Sequence, residues 1–417
     1  MKLFLSILIF ILSISIPSFA QENTVYIWQR NWQPEVLQSI DRIKPICDSF
    51  TILGGDFKLK DNRVESSKVF VNWEYLESKG PVTVSFRIHK GVDKILRHED
   101  ISSFVNYVAN LINNVLDEAR QKNINIIGVQ IDYDCPTSKL SDFTRFIKEL
   151  KTHFTKVSVS ITALPTWMNN DDFPALISAT DYYVLQLHSF EIPKGNDKEG
   201  YIFPKDRALD YFSHAINLNR PFYLSLPTYG YEVAYTNEGK FLGLRAEGGV
   251  EFFGNNIKQK LMFADSNEIL KFINMIKNYH SSNYLGICWF RLPVKSDRFN
   301  WDIKTLERVI RGQPPRAGFE IKTVNADNGV KELYLINTGE VNVENSIEFD
   351  ITWQDNEKPL YDILSDFTYL ELGDHKGLHI VGKPPMVDQR KFVGWVRADQ
   401  TSKLNILPSE VMINEAS

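Results

Sequence analysis

The run Gly128-Val-Gln-Ile-Asp-Tyr-Asp-Cys-Pro136 places an amide and two carboxylates at alternate positions in an otherwise apolar stretch. In an extended strand, residues two apart share a face at a spacing of about 6.6 Å, so Gln130, Asp132 and Asp134 project together. Such groups are costly inside a dry strand unless they are paired. Two neighbouring acids can do specific chemistry, because the charge of one holds a proton on the other, ready for donation to a leaving oxygen. One of the pair, Asp132 or Asp134, would be the donor and the other its charged neighbour. The plainer alternative is a hydrogen-bonded network that only fastens the end of the strand.

Further polar and aromatic groups follow other strand-like runs. Gln186 and His188 are two apart and share a face; they could hold hydroxyl groups, or His188 could ligate a metal with Asp132 and Asp134. A lone histidine is more often a satisfied core or rim residue. Arg87 and Arg291 could orient an anionic or hydroxyl-rich ligand with their planar forks, or simply neutralise the acids. Trp28, Trp32, Trp167, Trp289, Tyr229 and Tyr231 could offer flat apolar faces to sugar rings, with barrel core as the competing role. Cys135 lies beside the acids, but no paired base is evident for a thiolate nucleophile, so it reads as structural. This inventory calls for neither a metal nor a cofactor.

The elements that must position these groups are eight apolar strand-like runs, at 24–28, 50–53, 82–88, 124–131, 156–162, 182–187, 222–226 and 284–290. Several are apolar on both faces, as parallel strands covered by helices should be. Between them, 101–122 carries Ile101, Phe104, Val105, Val108, Leu111, Ile112, Val115 and Leu116 at helical spacing. A second helix is expected after Thr137 or Ser138 as N-cap, and Leu306, Val309 and Ile310 close the last unit. Eight such units in about 290 residues predict an α/β fold, a (β/α)8 TIM barrel, with its site where the strands end. Those ends bring Arg30, Trp32, Asp56, Arg87, His89, Asp132, Asp134, Thr162, Trp167, Gln186, His188, Thr228, Tyr229 and Arg291.

The chain has 417 residues and a net charge of −5, which supplies no basic field for nucleic acid. Lys2, an apolar run over 3–16, Pro17 and then Ser18-Phe19-Ala20 form a secretory signal peptide over 1–20. The expectation is an exported protein, periplasmic or extracellular, with no transmembrane segment after cleavage. Cys47, Cys135 and Cys288 are too few for a disulfide framework. Gly312-Gln-Pro-Pro-Arg-Ala-Gly318 breaks the pattern. The barrel is therefore expected over 21–312, a linker over 313–318, and a small antiparallel β-sandwich over 319–417, where short alternating runs are separated by turns.

The acid-bearing run resembles the fourth-strand signature of family 18 glycoside hydrolases, the chitinase-like barrels, which reads Gly-Val-Asp-Ile-Asp-Trp-Glu-Tyr-Pro. Gly128, Asp132 and Pro136 fall on matching positions, Asp134 on that family's general-acid glutamate, and Gln130 on an earlier aspartate. A resemblance spread over more of the barrel is to a bacterial family known as domain of unknown function 3142. It rests on phrases at 127–137, 160–167, 184–188, 226–230 and 289–293. It implies a glycosidase-like barrel. The function expected is that of an exported carbohydrate-active protein, a glycoside hydrolase acting on an oligosaccharide or envelope glycan, with Asp134 as acid, Asp132 beside it, and Gln130, Gln186, His188, Tyr229, Arg87, Trp167, Trp289 and Arg291 holding the sugar. The alternatives are a non-catalytic glycan-binding barrel and a metal-assisted hydrolase or deacetylase. No second carboxylate stands at the end of the seventh strand, where Pro227-Thr-Tyr-Gly230 occurs with Glu232 slightly later; ordinary hydrolysis normally needs one.

Overall fold

A computed structural model of the chain describes residues 21–61, 63–92, 94, 101–189, 191, 200–246, 256–279, 281–354, 358–373, 376–397, 407–408 and 411–413. The expected signal peptide lies outside them. The strands before the linker are β1 (Glu22–Ile27), β2 (Ser49–Lys60), β3 (Arg63–Lys68), β4 (Val82–Ile88), β5 (Ile126–Asp132), β6 (Ser158–Ala163), β7 (Tyr182–Gln186), β8 (Phe222–Pro227), β9 (Gly230–Thr236), β10 (Phe241–Arg245), β11 (Ile257–Phe263) and β12 (Tyr284–Phe290). The α-helices are α1 (Pro34–Ile43), α2 (Trp73–Leu76), α3 (Ser102–Gln121), α4 (Leu140–Lys151), α5 (Phe173–Ser178), α6 (Ala208–Asn217), α7 (Ser266–Ile276) and α8 (Ile303–Ile310).

Strands β1, β2, β4, β5, β6, β7, β8 and β12 pair in parallel and close on themselves through β1 and β12. This is the TIM barrel. The closing seam needs a glycine: at Gly286, opposite Glu22, a Cβ would lie 2.1 Å from the Glu22 carbonyl oxygen, and φ is +149°. Alternation along each strand sorts its side chains. Val129 and Ile131 of β5 join the large apolar cluster that also holds Phe104, Val108 and Ile112 of α3. Tyr26, Trp28, Leu53, Val69, Val184 and Cys288 form a separate, smaller cluster.

Three local expectations are corrected. The second strand, expected over 50–53, continues to Lys60 and turns back as β3, without a break at the adjacent Gly54 and Gly55. They mark close packing instead, since a Cβ on Gly54 would lie 2.5 Å from Val84 Cγ1. Thr137 and Ser138 do not cap α4; they form a 3₁₀ turn ahead of it, and the cap position is Lys139, with no side-chain hydrogen bond. The connection after β8 holds an unforeseen three-stranded antiparallel sheet, in the order β10-β9-β11.

Beyond the linker are β13 (Phe319–Asn325), β14 (Val330–Asn337), β15 (Ile347–Thr352), β16 (Leu360–Ile363), β17 (Phe367–Glu371), β18 (Gly377–Gly382), β19 (Arg390–Arg397), β20 (Leu407–Pro408) and β21 (Met412–Ile413). They make two antiparallel sheets. Leu333, Leu335, Val393 and Val396 of one sheet share an apolar core with Ile347, Phe349, Ile351, Leu378 and Ile380 of the other.

Candidate functional site

At the carboxyl ends of the barrel strands a cavity of about 470 Å³ is walled by Arg87, Asp132, Asp134, Gln186, His188, Tyr229 and Arg291. Seven of the ten side chains expected at the site therefore meet in one place. They come from the ends of β4, β5, β7, β8 and β12, because the inward parity of each strand carries over into the residues that follow it.

Asp132 is held by two neighbours. It lies opposite Arg87 in the β4–β5 register, with Arg87 Nε 3.7 Å from its Oδ2, and Thr162 Oγ1 donates to its Oδ1 at 2.8 Å. Burial first, and then the charge of Asp134, pushes its carboxyl up to about 6, against the opposing pull of Arg87 and the Thr162 hydrogen bond. Gln130 does not reach the cavity. It is 1% exposed and accepts a 2.8 Å hydrogen bond from the hydroxyl of Tyr26, a residue of the cavity wall. The side chain expected to touch sugar is a support beneath the floor.

His188 stacks flat on Phe290, with ring centroids 4.9 Å apart and planes 5° apart. Its Nε2 lies 3.0 Å from Ser225 Oγ and its Nδ1 3.3 Å from the Tyr229 hydroxyl. Burial pushes the imidazole down to about 3, so it is neutral, with one nitrogen able to donate and the other to accept. Both nitrogens are engaged by hydroxyls. Among the described residues, no group of three or more His, Cys, Asp or Glu side chains could hold a metal ion.

Two tryptophans are corrected. Trp167 is fully buried, and its indole N–H donates to the Cys135 carbonyl at 3.1 Å, fastening the turn that carries Asp134. Trp289 has the outward parity of β12, packs in the cluster between strands and helices, and donates to Asn23 Oδ1 at 3.0 Å. Neither lines the cavity. The aromatic wall is built instead by Tyr26, Trp28 and Phe290, which meet edge to face at centroid distances of 5.3–6.0 Å. Phe290 and Ser225 were missed because neither looks reactive; both sit at inward parity, on β12 and β8, and that signal was available.

No further carboxylate stands among the described residues of the cavity wall. Asp297 is held 2.5 Å from Arg291, and Glu232 pairs with Arg245 at 2.6 Å and Arg298 at 3.4 Å. Asp56, at the end of β2, is also taken: Arg30 binds it at 2.6 and 2.9 Å and His89 at 2.9 Å.

A closed parallel barrel with polar groups gathered at its strand ends is the architecture of a TIM-barrel protein with a strand-end site. Residues 97–295 match the sequence profile of a family described as a domain of unknown function, DUF3142, the family that the strand-end phrases resemble. No curated protein matches the sequence. Among solved structures, the chain is similar to the spore cortex-lytic enzyme SleL of Bacillus megaterium QM B1551, at 13% identity and a TM-score of 0.50, over 70% of this chain and 74% of that one. It is also similar to the GH18 chitinase ChiB from the chitin utilization locus of Flavobacterium johnsoniae, at 13% identity and a TM-score of 0.44, over 70% and 93% of the two chains. At such identity, the likeness to the cortex-lytic enzyme shows the fold alone.

Proposed function

We propose that this chain is an exported glycoside hydrolase of the substrate-assisted kind, acting on an oligosaccharide or envelope glycan that carries an acetamido sugar. The observation that carries the reading is a strand-end cavity whose only described wall carboxylates are the adjacent Asp132 and Asp134. An inverting or retaining pair would stand on opposite sides of the scissile bond. Two acids two residues apart on one strand end suit a different division of labour. Asp134 protonates the glycosidic oxygen as the anomeric carbon–oxygen bond breaks. The substrate's own acetamido oxygen closes on the anomeric carbon, and water then opens that ring, returning a proton to Asp134. Asp132, buried and held by Thr162 and Arg87, supplies the neighbouring charge above about pH 6, where it has given up its own proton. The edge-to-face aromatics offer the apolar wall that a pyranose ring needs.

Export rests on the sequence of residues 1–20; among the described residues no helix is long and apolar enough to cross a membrane. The same cavity favours a second reading for glycans without an acetamido group. With no opposed carboxylate among the described residues to attack or to activate water, such a glycan would be bound and left intact. The test is a panel of labelled glycans offered to purified protein with and without chelator. Cleavage restricted to acetamido-bearing glycans and indifferent to chelator supports hydrolysis, binding without cleavage moves the assignment to a glycan-binding barrel, and loss on chelation contradicts both.

A further inference from the structure

The cavity wall has a cationic side that the acid pair engages only loosely. Arg87 lines the cavity, and its side chain is 39% exposed. Its contact with Asp132, at 3.7 Å through Nε, is longer than a hydrogen bond. Among the described residues it makes no hydrogen bond, so this cavity-lining guanidinium still has donors to offer a ligand. Arg291 differs: it is 5% exposed and clamped to Asp297 at 2.5 Å. Both guanidinium groups exert their charge on the Tyr231 hydroxyl, another wall group, so the two cations lie towards the same side. A neutral sugar has no use for this arrangement, because hydroxyls gain less from a guanidinium than a carboxylate does.

We propose that Arg87 is a specificity residue whose free fork binds a sugar carboxylate, so that the substrate class is an acetamido-containing glycan that also carries carboxylate-bearing units. This rests on the hydrolase reading above and narrows it. A planar carboxylate matches the guanidinium fork with two parallel N–H···O bonds, which a lysine ammonium cannot reproduce. The nearest approach to Asp132 is through Nε at 3.7 Å, too long for a hydrogen bond, so the contact does not use up the fork's donors. Because Asp132 keeps its proton up to about pH 6, Arg87 is not fully neutralised by it in mildly acidic conditions, and its attraction for an anion is strongest there.

The experiment uses the full secreted chain and two matched probe pairs. The first pair is hyaluronan oligosaccharides and their carboxyl-reduced forms; the second is oligosaccharides of alternating N-acetylglucosamine and N-acetylmuramic acid, with the lactyl carboxylate free or reduced. Binding and cleavage are both read. We expect the carboxylated member of at least one pair to bind roughly 10- to 100-fold more tightly than its reduced partner. That ratio should collapse towards one in Arg87→Gln and recover only in part in Arg87→Lys. Equal use of both members by the natural protein, or a ratio that Arg87→Gln leaves intact, overturns the assignment of Arg87 while leaving the hydrolase reading standing. Cleavage of carboxylated and reduced forms by neither protein, with no binding to any probe, overturns both.

Discussion

Asp56 and Asp132 are both aspartates at the ends of barrel strands, yet their surroundings drive them in opposite directions. The Asp56 side chain is wholly inaccessible, and although burial works to raise its carboxyl, the bonds from Arg30 and His89 outweigh it and hold it below the usual range. Asp132 has one hydroxyl donor, an arginine at 3.7 Å, and an acid beside it, and it rises to about 6. The lesson is that a strand-end acid becomes useful when its charge is left incompletely compensated. Asp56 is satisfied and serves the fold. Asp132 and Asp134 are poised for the cavity.

The sharpest way to break this contrast is to neutralise one acid on each side of it. Asp134→Asn should lower glycan turnover by roughly 10²–10⁴-fold with little change in binding or folding, because no cavity is made. Asp56→Asn should act on stability first, and a larger loss of turnover from Asp56→Asn than from Asp134→Asn, in protein shown by circular dichroism to be folded, would reverse the roles. Arg30→Ala removes the bidentate partner of a buried carboxylate. Since Arg30 is itself half exposed, the cost should be about 2 kcal/mol in urea unfolding, and a cost near zero would mean that His89 suffices.

Asp132→Asn sharpens the contrast through pH. In the folded chain Asp132 keeps its proton to about pH 6, and its ordinary value is 3.8, so its contribution to stability is greatest below pH 3.8 and is lost as pH rises through 6. His188 works the other way: its folded value of about 3 lies below the ordinary 6.5, so its contribution is present above pH 6.5 and lost as pH falls. Between about pH 4 and 6 the two slopes oppose each other in the natural protein. Asparagine removes the Asp132 penalty, so Asp132→Asn should be more stable by about 3 kcal/mol at pH 7 and lose that advantage on acidification. An advantage that grows towards pH 4 would contradict the assigned direction. The smallest effect concerns the support of the site: Trp167→Phe deletes the hydrogen bond to the Cys135 carbonyl and should cost about 1 kcal/mol by thermal unfolding, whereas a direct loss of ligand affinity with unchanged stability would return Trp167 to the sugar-binding role.

What the sequence disclosed follows from what alternation can encode. The barrel was legible because the outward residues of its strands and the buried stripe of α3 are apolar at fixed periods, and the strand ends then named Arg87, Asp132, Asp134, Gln186, His188, Tyr229 and Arg291 in advance. The failures were failures of parity and of context. Trp289 and Phe290 are adjacent and aromatic, and only the facing of β12 decides that Phe290 meets the cavity while Trp289 meets helices. Gln130 has the correct facing but sits one step too deep, where the Tyr26 hydroxyl claims it. The small sheet of β9, β10 and β11 was missed because its strands lie inside what a barrel pattern reads as a single loop.

The central claim, that Asp134 gives its proton to the departing sugar oxygen, is tested most directly by how the Asp134→Asn defect depends on the leaving group. Single-turnover cleavage would be compared for a glycan linkage, whose alcohol leaving group needs protonation, and for a dinitrophenyl glycoside of the same sugar, whose leaving group does not. We expect Asp134→Asn to lose roughly 10²–10⁴-fold on the first and little on the second. An equal loss on both substrates, or no loss on either, would contradict the acid role of Asp134.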